Sequence, residues 1–219
     1  MPVPVPRTLS ELPYAAHLTP FQGSLGRESD LDGVRLDGES FDGVDGGSVR
    51  FTESALSSVT FTGGRMRRGR FNEVWMHTVR FVATDLVETA WMDTEVIAGS
   101  LAGLELFSAE MNRVTFHHCK LDSVNLRAST LRNVSFVDCL LRDVDFAGAR
   151  LDRVAFPGST LEEARFARAR MTGVDLRTAA RLGIVDGAES LRGATISTVQ
   201  MMDFAPVFAQ ALGITVADR

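Results

Sequence analysis

A five-residue periodicity of apolar side chains runs through most of this 219-residue chain. Counting every fifth residue from Leu31 to Leu176 gives 30 positions, of which 29 are large and apolar and one is Gly46. A helix repeats about every 3.6 residues and a flat strand every two, so neither explains this period. A chain that turns a corner at each repeat does explain it, and four such corners close a square coil of about 20 residues.

A second inward position supports the same register. The residue two places before each apolar position is small or β-branched in most repeats, as at Val59, Val79 and Val134, with Glu39 and Leu104 as the main exceptions. Successive coils can stack at the strand spacing of about 4.8 Å, so the repeats predict a rod roughly 35 Å long. Because one coil cannot bury its apolar positions alone, the stability of the fold must come from stacking.

Individual units resemble those of the pentapeptide-repeat family, whose consensus is Ala, then Asp or Asn, then Leu, then two variable residues. The best matches are Val124–Ala128, Val144–Gly148 and Val174–Thr178. The sequence departs from the consensus because its first position favours Val over Ala and few units carry Asp or Asn in the second. The resemblance implies an all-β fold, a right-handed quadrilateral parallel β-helix, which we assign to residues 31–199.

The two ends of a stacked rod need caps, because the terminal coils would otherwise expose unpaired edges. Residues 1–30 are predicted to form an N-terminal lid. Residues 200–219 are predicted to contain a short C-terminal α-helix, with Asp203 as its N-cap, Pro206 in its first turn and Gly213 as its stop. The helix has an apolar stripe that comprises Phe204, Val207, Phe208, Ala211 and Leu212.

Two roles for this helix stay open at this point. It can act only as a lid on the last coil. Alternatively, two copies of the chain form a homodimer through the apolar stripe, as the resemblance implies, since several family members dimerise through a C-terminal helix.

Composition and charge argue against several classes of protein. No apolar run approaches the ~20 residues of a membrane helix, and the N-terminus lacks the basic-then-apolar layout of a signal peptide. We therefore expect a cytoplasmic protein without membrane contact. The formal net charge of −5 argues against direct binding to nucleic acid.

No motif predicts catalysis or a cofactor. The chain lacks a P-loop, a dinucleotide-binding glycine pattern in the right setting and a catalytic triad signature, so we predict a protein that is not an enzyme. His117, His118 and Cys119, with His77 two coils away, are the best candidates for a metal site. The register turns both adjacent histidines outward and the thiol inward, which favours no metal. Cys119 and Cys139 are predicted to stack as two core thiols.

Charged residues form bands along the chain. Residues 65–80 contain five bases and one acid. Residues 81–112 contain no base and six acids: Asp85, Glu88, Asp93, Glu95, Glu105 and Glu110. Stacking creates two outward columns of carboxylates about 5 Å apart, at which spacing they repel; one is Glu53, Glu73 and Asp93, and the other Asp85 and Glu105. Either nearby arginines such as Arg50 and Arg70 neutralise these columns, or a partner does.

Large apolar side chains occupy outward positions near the same acidic band. They are Trp75, Val87, Met92, Ile97 and Phe107. Exposed apolar groups of this size are typical of a contact surface, but they can also pack beneath the N- or C-terminal segment. The candidate partner-binding residues are therefore the six acids of the band together with Glu53, Glu73, Trp75, Val87 and Phe107.

Two functions are consistent with these features. The first is a non-catalytic protein that presents a binding surface to an unidentified macromolecular partner. The second follows from the resemblance, since some family members protect DNA gyrase and related topoisomerases from quinolones or other poisons by resembling duplex DNA in width and charge. The acidic band and a dimer helix favour this second function, whereas the basic residues after Arg113 argue against it.

Overall fold

The computed structural model describes residues 3–211 and 213–215. The chain forms the stacked square coils that the five-residue period predicts, with parallel strands between neighbouring coils. Strand partners are 20 residues apart, as in Arg50↔Arg70 and Phe51↔Phe71. Each side chain therefore lies next to the side chain of the equivalent position in the following coil.

Each coil has four faces, which we number in chain order. Face 1 is an eight-stranded sheet of Asp30–Asp32, Arg50–Thr52, Arg70–Asn72, Ala90–Met92, Glu110–Asn112, Thr130–Arg132, Arg150–Asp152 and Arg170–Thr172. Face 2 is a seven-stranded sheet of Thr19–Pro20, Val34–Asp37, Ala55–Ser57, Trp75–His77, Glu95–Ile97, Thr115–His117 and Ser135–Val137. Face 3 is an eight-stranded sheet of Ser40–Asp42, Thr60–Thr62, Arg80–Val82, Ser100–Ala102, Lys120–Asp122, Leu140–Arg142, Thr160–Arg165 and Arg181–Asp186. Face 4 consists of turns joined by single bridges, from Asp45↔Arg65 to Asp145↔Arg165.

Left-handed backbone forms the corners between faces. Glu53 and Glu73, for example, have φ values of 44° and 54°. This conformation costs a non-glycine residue roughly 1–2 kcal/mol, and hydrogen bonds between coils offset it. Gly64 (φ 71°) is more constrained, because a Cβ atom there would lie 2.4 Å from the carbonyl oxygen of Val44. Only glycine fits at this corner.

Ladders of stacked side chains form the core. In one of them the ring centroids are 4.9 and 5.2 Å apart and the rings are nearly parallel; it comprises Phe116, Phe136 and Phe156. The single gap in the apolar series, Gly46, is occupied by a neighbour, since a Cβ atom there would lie 2.9 Å from Cγ of Met66. The exception at Gly46 is therefore compensated by a larger side chain in the next coil.

The 20-residue spacing becomes irregular near the C-terminal end, where the sequence register also breaks. Thr160 pairs with Arg181, one residue further along than the regular spacing, and Val174 then pairs with Ala194 at the regular spacing. A 3-10 helix at Ala188–Leu191 and short strands at Val174–Asp175 and Ala194–Thr195 complete this end. At the other end, 3-10 helices span Leu9–Glu11 and Ala15–His17.

The C-terminal helix begins earlier than the sequence analysis predicts. It spans Thr198–Ala211 with Pro206 in its interior, so the expectations that Asp203 is the N-cap and that Pro206 lies in the first turn are wrong. Ser197 and Gln200 cap the helix instead. Ser197 Oγ accepts a hydrogen bond from the Gln200 amide at 3.3 Å, and Gln200 Oε1 accepts one from the Ser197 amide at 2.8 Å. This reciprocal pair is a capping box.

Candidate functional site

Apolar and acidic side chains lie together around the corner between faces 4 and 1, midway along the rod. We call this surface the mid-rod patch; it comprises Asp85, Val87, Glu88, Met92, Glu105, Phe107 and Glu110. Asp85 and Glu105 are bridge partners on face 4, so Val87 and Phe107, two residues further along each coil, occupy one column. Phe107 and Met92 are each 42% exposed. The patch therefore presents two large apolar groups to solvent.

The carboxylates of the mid-rod patch fall into two groups. Asp85 pairs with Arg67 at 2.6 Å, and Glu88 pairs with Arg68 at 3.0 Å. Glu105 accepts a hydrogen bond from Asn125 Nδ2 at 2.7 Å. Within the described residues, neither Glu105 nor Glu110 has a cationic partner, and both are exposed. Two uncompensated negative charges thus lie beside the exposed apolar side chains.

The corner column of Glu53, Glu73 and Asp93 is only partly neutralised. Arg113 donates to Asp93 from Nε and Nη2 at 2.5 and 2.6 Å. The expectation that Arg50 pairs with this column is wrong, because its Nη2 donates to Asp30 at 3.0 Å. Glu53 and Glu73 form no ion pair in the part of the chain that the structure describes.

The N-terminal segment covers two of the predicted outward apolar residues. Leu12 and Tyr14 pack with Trp75 and Ile97 in a second apolar cluster on face 2. Trp75 donates from Nε1 to the carbonyl oxygen of Arg7 at 3.0 Å, and only 6% of the residue is exposed. Of the two alternatives for the outward apolar residues, packing beneath a terminal segment is therefore the correct one for Trp75 and Ile97.

Glu95 is buried at the same place and holds this segment. Its two oxygens accept hydrogen bonds from the amide and the Nε of Arg7 at 3.0 and 2.9 Å. Burial acts to raise the pKa of Glu95, but His117, whose Nε2 lies 3.3 Å away, and the bonds from Arg7 outweigh it and lower that pKa. We call Arg7, Trp75 and Glu95 the N-terminal latch. The expectation that Trp75 and Glu95 form part of the exposed surface is wrong.

The histidines and cysteines occupy separate environments. His117 is fully buried rather than at the surface, next to Glu95, whereas His118 is exposed. No group of three potential metal ligands occurs among the described residues. Cys119 and Cys139 are buried thiols without a disulfide, and Cys139 Sγ lies 3.4 Å from the amide of Cys119. Both thiols belong to the packed core.

The apolar stripe predicted for the C-terminal helix is divided between two sides of the helix. Phe204 is buried and Phe208 packs against the core, so both cover the last coil. Val207 is exposed, together with Val199 (69%) and Met202 (66%). The side chain of Ala211 and the whole of Leu212 lie outside the described residues. The outward apolar face of the helix is therefore formed by Val199, Met202 and Val207.

The repeat geometry agrees with a comparison against known families. The family described as pentapeptide repeat region matches residues 89–166. The same five-residue units, corners and 20-residue strand spacing continue in the structure on both sides of this stretch. The chain thus contains a pentapeptide-repeat region.

Solved structures similar to this pentapeptide-repeat chain share little sequence with it. QnrB1, a plasmid-mediated fluoroquinolone resistance protein, is 10% identical in its trypsin-treated form, with a TM-score of 0.35 over 92% of this chain and 98% of that one. HetL, involved in heterocyst differentiation regulation in the cyanobacterium Nostoc, is 18% identical, with a TM-score of 0.33 over 77% and 90%. Rfr23 from the cyanobacterium Cyanothece is 10% identical, with a TM-score of 0.25 over 64% and 89%. No curated protein matches the chain.

The polar groups of this pentapeptide-repeat rod stand in columns rather than converging on one point. A concavity of about 380 Å³ lies beside the N-terminal latch and is lined by Arg7, Tyr14, Glu95 and His117. Its Arg7 and Glu95 side chains are already paired with each other.

The described part of the chain contains no helix long and apolar enough to span a bilayer. The arrangement of side chains suits contact across a face of the rod. Arg7, on which the latch depends, is missed by the sequence analysis because it lies outside the repeat.

Proposed function

We propose that this pentapeptide-repeat protein is a non-catalytic binding protein whose mid-rod patch contacts a protein partner. The observation that carries the proposal is the exposure of Phe107 and Met92 beside Glu105 and Glu110, which have no cationic partner among the described residues. Aromatic residues and methionine are enriched in the cores of protein interfaces. A partner with an apolar centre and a basic rim is complementary to this surface.

The rod supports the mid-rod patch rigidly. The amide of Glu88 donates to the carbonyl oxygen of Phe107 at 3.0 Å, and the amide of Glu110 donates to that of Thr89 at 2.8 Å. Each coil of the patch is thus hydrogen-bonded to a neighbouring coil. Little backbone ordering is needed on binding, which reduces the entropic cost of association.

Protection of DNA gyrase or topoisomerase IV by DNA mimicry is a second candidate function. The carboxylates of Glu53, Glu73 and Glu105, which lack ion pairs within the described residues, favour it. Bases such as Arg65 and Arg68 interrupt the negative charge along the rod, and a basic DNA-binding surface would repel them. A supercoiling assay with and without ciprofloxacin tests this function. If the purified chain neither inhibits supercoiling nor protects either enzyme from the drug, DNA mimicry of these enzymes is wrong.

Site-specific photocrosslinking tests the main proposal. Benzoylphenylalanine at position 107 should give a discrete crosslinked protein in an extract of the source cells. Unlabelled wild-type chain should compete for this product, and chains carrying Met92→Asp with Glu110→Lys should compete at least about tenfold less well.

Val185 provides the matched control, because it is an exposed apolar residue near the C-terminal end of face 3. Benzoylphenylalanine at position 185 should not give the same product, and Val185→Asp should compete as well as the wild type. If the Met92→Asp/Glu110→Lys chain competes for the crosslinked product as well as the wild type does, the mid-rod patch is not the binding surface.

A further inference from the structure

A group of arginines near the C-terminal end of face 1 has no partner within the described residues. These side chains are exposed and form neither an ion pair nor a hydrogen bond there; they are Arg132, Arg150, Arg168 and Arg170. Other arginines of the same coils are paired. Arg127 lies 3.3 Å from Asp145, and Arg153 lies 3.0 Å from Asp152. The lack of partners is therefore specific to this group rather than common to the region.

Two members of the group are direct strand neighbours. Arg150 pairs with Arg170 in the register of face 1, and neighbouring strands are about 4.8 Å apart. Like charges directly opposite each other destabilise a sheet. The column of Arg150 and Arg170 therefore opposes folding slightly, and a role in folding does not explain it.

Two shallow grooves lie on either side of this column. One has a volume of about 360 Å³ and is lined by Phe107, Arg168 and the small residues Ala128, Ala147 and Gly148. The other has a volume of about 440 Å³ and includes Arg132. Arg150 and Arg170 line both grooves. We call the first groove with these two arginines the arginine groove. The small residues in its lining allow an extended backbone to approach the rod closely.

We propose that the arginine groove binds a short acidic segment of a partner protein, whose carboxylates pair with Arg150, Arg168 and Arg170 while an apolar side chain packs on Phe107. Guanidinium groups bind carboxylates in a bidentate geometry that favours this pairing. Three strand spacings, about 14 Å, separate the coil of Phe107 from the coil of Arg170. An extended peptide covers that length with roughly four residues, so one apolar residue followed by three or four acidic residues suffices.

A peptide fits this surface better than a nucleic acid does. The face 1 column runs from Glu110 through Thr130 to Arg150 and Arg170. Positive charge therefore gives way to negative charge within two coils, or about 10 Å. A phosphate backbone that continued past Phe107 would lie within the ~8–10 Å screening length of Glu110 and be repelled. A short peptide brings only its uncharged apolar residue to the coil of Glu110, where it packs on Phe107, and keeps its carboxylates beside the arginines of the later coils.

This inference does not rest on the proposed function of the mid-rod patch, although the two surfaces share Phe107. Met92→Asp alters the mid-rod patch without touching the arginine groove. Arg150→Glu with Arg170→Glu alters the groove without touching Met92. The failure of one proposal is therefore distinguishable from the failure of the other.

Fluorescence anisotropy with the full chain and a labelled peptide of one leucine followed by four glutamates tests the inference. We expect saturable binding that weakens about tenfold or more in the Arg150→Glu/Arg170→Glu double variant. A peptide with glutamine in place of glutamate should not bind. Arg70→Glu is the matched control, because Arg70 is exposed in the same face 1 column nearer the N-terminus and has no ion pair among the described residues. Its effect should stay below about twofold.

Three results would overturn the inference. In the first, the Arg150→Glu/Arg170→Glu variant binds the glutamate peptide as tightly as the wild type does. In the second, the wild type binds the glutamine peptide as tightly as the glutamate peptide. In the third, the wild type binds an oligothymidine more tightly than the glutamate peptide, and the double variant does not bind the oligothymidine. If circular dichroism shows that charge reversal unfolds the chain, Arg150→Gln/Arg170→Gln replaces it. That variant removes the repulsion, so it should keep the wild-type Tm and still weaken peptide binding.

Discussion

The N-terminal latch can be opened by a single substitution, Arg7→Met, which keeps the aliphatic part of the side chain and removes its guanidinium. In the wild type, Arg7 Nε donates to Glu95 Oε2 at 2.9 Å, and the Glu95 side chain is 7% exposed against 45% for Arg7. Loss of a hydrogen bond to a charged buried group costs about 1.5–3 kcal/mol. The solvent exposure of Arg7 reduces this to about 1–2 kcal/mol for closure of the segment.

This loss of stability affects the N-terminal segment, residues 3–18, and not the rod, because the coils keep their own hydrogen bonds. A change of about 1–2 kcal/mol raises the open population roughly 5- to 30-fold. Amide hydrogen exchange measures that population for local opening. We expect the amides of Ala15 and His17, which donate to carbonyl oxygens inside the segment, to exchange faster by this factor. The amide of Phe136, in the middle of the rod, should be unaffected.

Arg35→Met is the matched control for the latch variant. Arg35 pairs with Asp37 at 2.7 Å, but both side chains are exposed, so the substitution should cost less than about 1 kcal/mol and leave the covering segment closed. If Arg7→Met leaves the exchange of residues 3–18 unchanged, the hydrogen bonds to Glu95 do not hold the segment. The apolar contacts of Leu12 and Tyr14 would then be sufficient.

Three further predictions follow from individual contacts. Because the pKa of Glu95 in the fold lies below its ordinary value of 4.5, the latch is fully stabilised above that pH and weakens as pH falls through the lowered pKa. The protection factors of the amides in residues 3–18, which remove the intrinsic pH dependence of amide exchange, should fall there in the wild type and fall less in Glu95→Gln. Gly64→Ala should lower the free energy of unfolding by at least about 3 kcal/mol in urea titration, whereas Gly63→Ala, where a Cβ atom meets open space, should cost only about 1 kcal/mol. Val199→Glu with Met202→Glu should convert a homodimer to a monomer in light scattering, and an unchanged mass would show that this helix face is not the dimer interface.

The inward positions of the rod could be predicted almost residue by residue because their surroundings repeat every coil. A side chain such as Phe136 has equivalent neighbours in Phe116 and Phe156, so one rule covers the whole series. The same rule identifies the exception at Gly46, but the period does not indicate that Met66 fills the space there.

The outward positions could not be predicted in the same way. The segment that buries Trp75, Glu95 and His117 lies outside the repeat, and nothing in its sequence indicates which face it covers. The ion pairs of the outward side chains could not be predicted from the sequence either. The acidic partner lies 18 residues away for Arg67, 20 for Arg113 and two for Arg35. The side-chain rotamer of each arginine determines which acidic residue it pairs with, and the five-residue repeat does not determine that rotamer.

The start of the C-terminal helix was predicted wrongly for a different reason. The apolar stripe alone led to Asp203 as the cap, because the stripe begins at the next residue. Ser197 and Gln200 carry a capping box at the correct place, but the residues after Ser197 include the exposed Val199 and Met202, which do not fit a helix packed by one face. The exposed apolar side of this helix therefore hid its true start and is itself the feature that suggests self-association.

The mid-rod patch and the arginine groove meet at Phe107, and their opposite charges restrict what can bind to both. A single partner that covers the two surfaces must bring basic groups to Glu110 and acidic groups to Arg150, so the reversed orientation would place like charges together. Two separate partners would instead compete for Phe107. Substitutions at Met92 and Arg150 distinguish these cases, because their effects on one bound partner add, whereas each affects only its own partner if there are two. The polarity of the rod thus sets the orientation of a partner even though every coil has the same backbone.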